Sequence, residues 1–192
     1  AMRNAVDNLT RLLNVHPGGV RGRAPSWSEY KGLLPLHVAC LAGSLEAARL
    51  LLDRGAGVSE RSEHGTTALI MACLGGWPEV VSLLLSRGAD PTMLGAKRLT
   101  ALIAASGVAP PKQAAAIIER SRNTGADHVA VMRLLLKDGR VPINARDKSG
   151  RTALATAVHH GLIDRVRLLL VDGRADYTVR NNFNRTAVEE AE

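Results

Sequence analysis

A sequence block of about 33 residues recurs along this chain, and it constrains the possible folds more than any other feature. The segment GLLPLHVAC at 32–40 aligns with GTTALIMAC at 65–73, and shorter related segments follow towards the C-terminus. A second motif recurs in phase with the first, in the forms RLLLDRG at 49–55, SLLLSRG at 82–88, RLLLKDG at 133–139 and RLLLVDG at 167–173. Repetition at this period predicts a solenoid, in which similar units stack on one another.

Each unit carries the signals of two short helices followed by a stop. Thr67 and Thr152 stand where a hydroxyl can cap the start of the first helix. A glycine follows each second helix, where a left-handed backbone is needed, at Gly55, Gly88, Gly139 and Gly173. Helices of about two turns do not persist alone in water, so their leucine and alanine faces are expected to pack between units. Only 3% of the residues are aromatic, which argues against a β-sandwich or barrel.

The segments LPLHVA at 34–39 and LLLSRGAD at 83–90 resemble the ankyrin repeat, and the repetition extends over roughly residues 10–192. The resemblance implies an all-α fold, an ankyrin-repeat solenoid of helix-turn-helix units with β-hairpin-like fingers. About four complete repeats are expected, with a partial repeat at each end. The predicted single array consists of an N-terminal partial repeat or cap at 1–28, repeats at 29–61, 62–94, 95–146 and 147–180, and a partial repeat at 181–192.

The third repeat departs from this pattern in two places. It has an insertion within about 107–126, for which we predict a short amphipathic helix and a mobile loop at 121–125. A wholly flexible loop is the alternative for this insertion. The turn glycine of this repeat is replaced by Arg98, which leaves the geometry of the third hairpin open. Asn184 replaces the same glycine in the last unit, and asparagine tolerates a left-handed backbone.

Motifs for chemistry are absent from the sequence. It has no glycine-rich phosphate loop, nucleophile elbow or paired catalytic carboxylates, so we predict no enzymatic activity and no cofactor. His159 and His160 point about 100° apart on a helix, so they cannot chelate together, and no metal site is expected. The resemblance assigns His37 a hydrogen bond that ties neighbouring turns. Cys40 and Cys73 occupy equivalent positions and are expected to be buried and reduced.

The resemblance also implies where a partner would bind. In ankyrin repeats the finger tips and the ends of the first helices form a concave binding surface. The candidate partner-binding residues at those positions are Tyr30, Lys31, Leu33, Leu41, His64, Leu74, Lys97, Leu99, Val108, Arg146, Lys148, Arg151, His159, His160, Phe183 and Arg185. The four leucines among them would form an apolar strip beside a basic one. For the two histidines, an ordinary solvent-exposed role is the alternative.

The charge of the chain is uneven. The net charge is +7, and basic residues concentrate in the hairpins of the C-terminal half. Those hairpins contain seven basic residues and two acids, namely Arg140, Arg146, Lys148, Arg151, Arg174, Arg180 and Arg185 against Asp147 and Asp176. This excess predicts a protein or peptide partner with an acidic stretch. A basic surface that is merely solvated is the alternative.

These features favour a non-catalytic protein–protein interaction module, a recognition domain or scaffold that acts as a monomer. Binding of nucleic acid or anionic lipid through the basic face is less favoured, because the finger tips lack a row of aromatic stacking residues. A regulatory domain of a larger enzyme is a further alternative.

The sequence has no apolar run of ~18 residues, no visible secretory signal and too few cysteines for a disulfide framework. We therefore expect an intracellular protein, cytoplasmic or nuclear.

Overall fold

The computed structural model describes residues 21–22, 31–107, 126–171 and 174–190, and the structural statements that follow concern these residues. Within them the chain forms helices and no extended strand, apart from one isolated bridge between Arg61 and Thr67. The α-helices are α1 (Pro35–Leu41), α2 (Leu45–Asp53), α3 (Ala68–Gly75), α4 (Pro78–Ser86), α5 (Ala101–Ala105), α6 (His128–Asp138), α7 (Ala153–His159) and α8 (Ile163–Val171). The predicted helical fold class is therefore confirmed.

The helices stack in two rows. The odd-numbered helices pack on one another in chain order, α1 on α3, α3 on α5 and α5 on α7, and the even-numbered helices do the same. Each odd-numbered helix also packs on the even-numbered helix that follows it, including α5 and α6, which flank the inserted segment. Helix pairs that contact mainly their neighbours are the solenoid arrangement that the repeat predicts.

The first helix of each pair lies deepest in the stack. Every residue of α1, α3 and α5 is buried. Small side chains stand at equivalent positions of these helices, at Ala39, Ala72 and Ala105 in particular, and let the backbones approach closely. The second helices bury one face only, on which lie Leu51, Leu84, Leu135 and Leu169. The middle leucine of each LLL motif is therefore the core residue of its unit.

The helix ends follow the sequence signals. The hydroxyls of Thr67 and Thr152 accept hydrogen bonds from the main-chain N–H groups three residues later, which confirms the predicted caps. Gly55, Gly88 and Gly139 have φ angles of 86°, 84° and 77°, as expected after the second helices. The equivalent glycine at 173 lies outside the described residues. Local signals therefore place the helix boundaries correctly.

Hairpin turns connect the helix pairs, and we number them as fingers. Finger two is 62–66, finger three 95–99, finger four 147–151 and finger five 181–185, while 31–33 is the described part of finger one. In fingers two to five the N–H of the first residue donates to the carbonyl oxygen of the last, over 2.7 to 2.9 Å. The turn residue of each is left-handed, and Arg98 (φ 60°) matches Asn184 (φ 61°). The third hairpin thus closes with the same main-chain bond despite the arginine, but it has a second left-handed residue, Lys97 (φ 56°).

Neighbouring fingers are joined to one another. The main-chain bonds between them run from the N–H of Glu63 to the carbonyl of Gly32 (2.9 Å), from Lys148 to Lys97 (2.8 Å) and from Asn182 to Ser149 (3.1 Å). Fingers two and three are linked by the guanidinium of Arg61, which donates to the carbonyl oxygen of Leu94 over 2.6 Å. The fingers therefore form a row whose spacing is fixed by main-chain bonds and, between fingers two and three, by the side chain of Arg61.

Some predictions fall on segments that the structure does not describe. The N-terminal partial repeat at 1–28, except 21–22, lies outside the described residues, and so does the inserted helix and loop within 108–125. At the C-terminal end, 186–190 form one turn, in which the N–H of Glu190 donates to the carbonyl oxygen of Thr186 over 3.1 Å. That turn follows finger five as α7 follows finger four.

Candidate interaction surface

The tips of the fingers carry the exposed part of the candidate surface. Six of the candidate residues are exposed there, namely Lys31, His64, Lys97, Lys148, Phe183 and Arg185. Phe183 on finger five has 76% of its surface exposed, the highest value among the large apolar side chains of the described residues. Tyr30 and Val108, which were also candidates, lie outside the described residues.

The predicted apolar strip is wrong. Leu33 and Leu74 are each 5% exposed and Leu41 is 0% exposed, so these three side chains belong to the core. The ends of the first helices are covered by the next unit, and the indole N–H of Trp77 donates to the carbonyl oxygen of Leu41 over 2.8 Å. Leu99 is half-buried and packs against the same core. A leucine at the end of a first helix is therefore a packing residue here.

Several of the arginines hold the fingers together instead of facing a partner. Arg146 donates from Nε to the carbonyl oxygen of Gly150 (3.1 Å) and from Nη2 to Oδ1 of Asn182 (3.2 Å). Arg61 and Arg180 likewise donate to the carbonyl oxygens of the turn residues four positions later. An arginine four residues before the turn residue is a sequence signal for this bond, and our sequence interpretation missed it.

The predicted excess of basic charge in the C-terminal hairpins is also wrong, because it is larger than the unpaired charge that the structure leaves there. Three of the arginines counted there form ion pairs, Arg140 with Asp138 (2.7 Å), Arg151 with Glu190 (3.0 Å) and Arg180 with Glu189 (2.9 Å). These acids lie outside the hairpin segments in which the charges were counted. Asp138 and Glu189 lie close to their arginines along the chain, whereas the stacking of units brings Glu190 to Arg151 across 39 residues, so Arg151 in particular is a structural residue.

On the tips of fingers three and four, three cations have no acidic partner among the described residues. Lys97, Arg98 and Lys148 are exposed, and none of the three side chains makes an ion pair or a hydrogen bond within the described part of the chain. We call these three residues the basic tip cluster. The acid of finger two, Glu63, lies against Gly32 of finger one and so points away from the cluster. Arg98 was absent from the candidate residues, although its place at a turn position was a visible signal.

The two adjacent histidines lie at the exposed end of α7. Their ring centroids are 5.1 Å apart, with the ring planes at 77°. Partial burial lowers the pKa of His160, and the charges of His159, Arg151 and Arg165 lower it further. No group of three or more metal-ligating side chains exists among the described residues. These histidines are exposed, but nothing about their geometry favours a partner over solvent.

Buried polar and sulfur groups have structural positions. Nε2 of His37 donates to the carbonyl oxygen of Thr66 over 2.9 Å, which confirms the predicted bond between neighbouring turns. Cys40 and Cys73 are free and fully buried, and burial raises the pKa of both thiols far above its ordinary value. These three residues therefore belong to the stack and not to an interaction surface.

A series of side chains fastens each unit to the one before it. The indole N–H of Trp77, Nε2 of His128 and Nη1 of Arg165 donate to the carbonyl oxygens of Leu41 (2.8 Å), Leu74 (3.2 Å) and Ala105 (3.1 Å). Each donor lies at the start of a second helix, and each acceptor lies at the end of the first helix in the preceding unit. These bonds satisfy carbonyls that have no partner within their own helix.

The second helices offer a different surface for comparison. Grooves of about 510 Å³ and 350 Å³ lie between α2 and α4 and between α6 and α8. The groove between α6 and α8 is lined by the cations Arg133, Lys137 and Arg174 beside two leucines. Charged residues on α6 therefore provide matched controls for changes made on the fingers.

Comparison with known proteins places the repeats in a family. A family profile described as ankyrin repeats (3 copies) matches residues 1–94, and a second, described as ankyrin repeats (many copies), matches residues 134–191. A search of curated proteins found no match to the chain. No helix in the described ranges is long and apolar enough to cross a membrane.

Proposed function

Because the chain belongs to the ankyrin-repeat family, we propose that it is a non-catalytic recognition module whose fingers bind a partner protein. Ankyrin repeats are generally protein–protein interaction modules and are typically non-catalytic. In this proposal the chain works inside the cell as a monomer, and the partner lies across the row of fingers. The second helices then form the opposite, unused side of each unit.

The observation that carries the proposal is the fixed spacing of the exposed finger tips. Main-chain bonds join finger one to finger two and fingers three to five to one another. The side chains at the tips are therefore presented in a row that loses little conformational freedom on binding. A preorganised and exposed row of this kind supports recognition of an extended surface on another protein.

The tips also have the mixed chemistry of an interface. Phe183 on finger five is an exposed aromatic anchor, and such residues contribute much of the affinity in protein interfaces. The basic tip cluster on fingers three and four would raise the association rate with an acidic partner segment. We therefore propose that affinity comes mainly from apolar contacts and selectivity mainly from charge.

A bulky label on one finger tests the proposal without changing any charge. Ser149 at the tip of finger four and Ser82 on α4 are both exposed, and the native thiols are buried. Ser149→Cys and Ser82→Cys can therefore each carry a single polyethylene glycol maleimide. Immobilised protein captures partners from a nuclease-treated cell lysate, and captured proteins are identified by mass spectrometry.

The expected result is that the label at Ser149→Cys abolishes capture of the partner, while the same label at Ser82→Cys leaves it intact. Equal capture by the two labelled proteins would contradict binding through the fingers. Loss of all capture after nuclease treatment would instead indicate that the chain binds nucleic acid. Either of the last two outcomes rejects the proposal.

A further inference from the structure

Finger three differs from the other fingers at three positions. Fingers two, four and five, with the residue before each, read RSEHG, RDKSG and RNNFN, whereas the corresponding segment at 94–98 reads LGAKR. The arginine that donates to the turn carbonyl is replaced by Leu94. The side chain that accepts main-chain N–H groups within the finger is replaced by Gly95, and the turn residue is Arg98. Finger three therefore lacks the side-chain bonds that stabilise the others.

The backbone of finger three is also strained. Lys97 and Arg98 have φ angles of 56° and 60°, so two consecutive residues with side chains occupy the left-handed region. The equivalent turn residues Gly65 and Gly150 have no side chain, and Asn184 is an asparagine, a residue type that tolerates this region. Residues held in such conformations against their preference cluster at binding sites. No packing explains the arginine, because its side chain is exposed.

The positive charges of fingers three and four lie on neighbouring tips. The N–H of Lys148 donates to the carbonyl oxygen of Lys97 over 2.8 Å, so the tips of fingers three and four lie side by side. The nearest acid in finger four is Asp147, whose Oδ1 already accepts the N–H groups of Ser149 and Arg151. The basic tip cluster thus presents three cations whose side chains have no partner within the described residues.

From these observations we infer that the basic tip cluster is the acid-recognition point of the chain, and that Arg98 determines its selectivity. The ligand is a carboxylate-rich segment of a partner protein, with clustered glutamates or aspartates that lie across fingers three and four. A peptide is favoured over nucleic acid because the exposed aromatic side chain of the described fingers, Phe183, lies on finger five and not within the cluster. The inference rests on the proposed binding function and adds the chemistry of the partner.

The test compares two substitutions at Arg98, with peptide binding as the readout of charge and the melting temperature as the readout of strain. Arg98→Asn removes the charge and relieves the strain, as Asn184 does in finger five, whereas Arg98→Lys keeps both. Arg133→Gln, at an exposed position of α6, removes one charge away from the fingers and serves as the matched control. Binding of a fluorescein-labelled peptide of ten glutamates is measured by anisotropy at about 50 mM salt, together with the melting temperature. A peptide of ten glutamines and an oligonucleotide of ten thymidines are the comparison ligands.

We expect Arg98→Asn to weaken binding of the glutamate peptide by about three- to five-fold, the upper part of the range of one exposed charge pair. The same substitution should raise the melting temperature by about 2 °C, because a strained residue is replaced by one that tolerates the conformation. Arg98→Lys should bind within about two-fold of the original protein at an unchanged melting temperature. Arg133→Gln should bind the peptide like the original protein.

Several outcomes would overturn the inference. These are failure of the original protein to bind the glutamate peptide, equal binding by Arg98→Asn and Arg133→Gln, and tighter binding of the oligonucleotide than of the peptide. A melting temperature that falls in Arg98→Asn would reject the assignment of strain. If the label on Ser149→Cys still blocks partner capture, the proposed function stands while this inference fails.

Discussion

Cys40 and Cys73 lie at the same position of consecutive units, and both thiols are fully buried. Burial raises their pKa values, so the thiolate that reacts with reagents is scarce in the folded state. We predict that a chromogenic disulfide reagent labels the native protein at pH 8 at least about tenfold more slowly than the protein in guanidinium chloride. Rapid labelling of both thiols in the native state would show that α1 and α3 are not packed as described.

His128 makes the stability depend on pH. Burial lowers its pKa below the ordinary value of 6.5, and the charge of Arg165 lowers it further against the opposing influence of Asp127. As the pH falls below about 6.5, the unfolded chain therefore binds a proton at His128 before the folded chain does. The contribution of His128 to stability is present above pH 6.5 and is lost as the pH falls through the folded pKa. His160 shifts in the same direction, and its greater exposure makes its share smaller.

The matching experiment uses His128→Gln, whose amide can still donate to the carbonyl oxygen of Leu74. Urea unfolding at pH 7.5 and at pH 5.5 gives the loss of unfolding free energy on acidification. We predict that this loss is smaller in His128→Gln than in the original protein, because the variant has nothing to titrate at this position. An identical loss in the two proteins would exclude His128 as its source.

At the level of single residues, the sequence predicts local bonds better than distant ones. The caps at Thr67 and Thr152 involve N–H groups three residues away, and both are confirmed. The ion pair between Arg151 and Glu190, which lies 39 residues later, depends on how units stack. A count of charges within a segment contains no information about such pairs, so it overestimated the basic surface.

The second helices provide the packing that holds one unit on the next. Leu84 on α4 is 0% exposed, whereas Ser82 on the same helix is exposed. We predict that Leu84→Asp lowers the free energy of unfolding by about 3 kcal/mol or more, because it buries a carboxylate without a partner. Ser82→Asp should change it by less than about 0.5 kcal/mol. Urea denaturation measures both, and equal effects would mean that the face of α4 is assigned incorrectly.

At the level of helices and fingers, position along the chain was predictable but exposure was not. The repeat phase places the first helices and the turn residues where the structure has them. Leu41 and Leu74 nevertheless lie in the core, because the side of a short apolar helix that faces a neighbour cannot be inferred when every side is apolar. Because Arg98 replaces the turn glycine, the sequence did not predict the geometry of the third hairpin. In the structure the backbone of Arg98 is left-handed at this turn.

For the whole molecule, the fold follows from the repeat, since identical signals at a constant period require identical units that stack. The binding surface does not follow in the same way. The net charge of +7 suggested a broad basic face. Ion pairs and carbonyl contacts occupy several of the arginines in that region, and the basic tip cluster is the part of the finger row where three unpartnered cations lie on neighbouring tips.

The proposed function requires that a partner protein lies across the fingers of this repeat stack. Hydrogen–deuterium exchange of the chain, alone and bound to its captured partner, measures which segments the partner covers. Binding is expected to slow exchange in the segments 62–66, 95–99, 147–151 and 181–185, with little change in α4, α6 and α8. Protection confined to those second helices, with unchanged fingers, would contradict the proposed function.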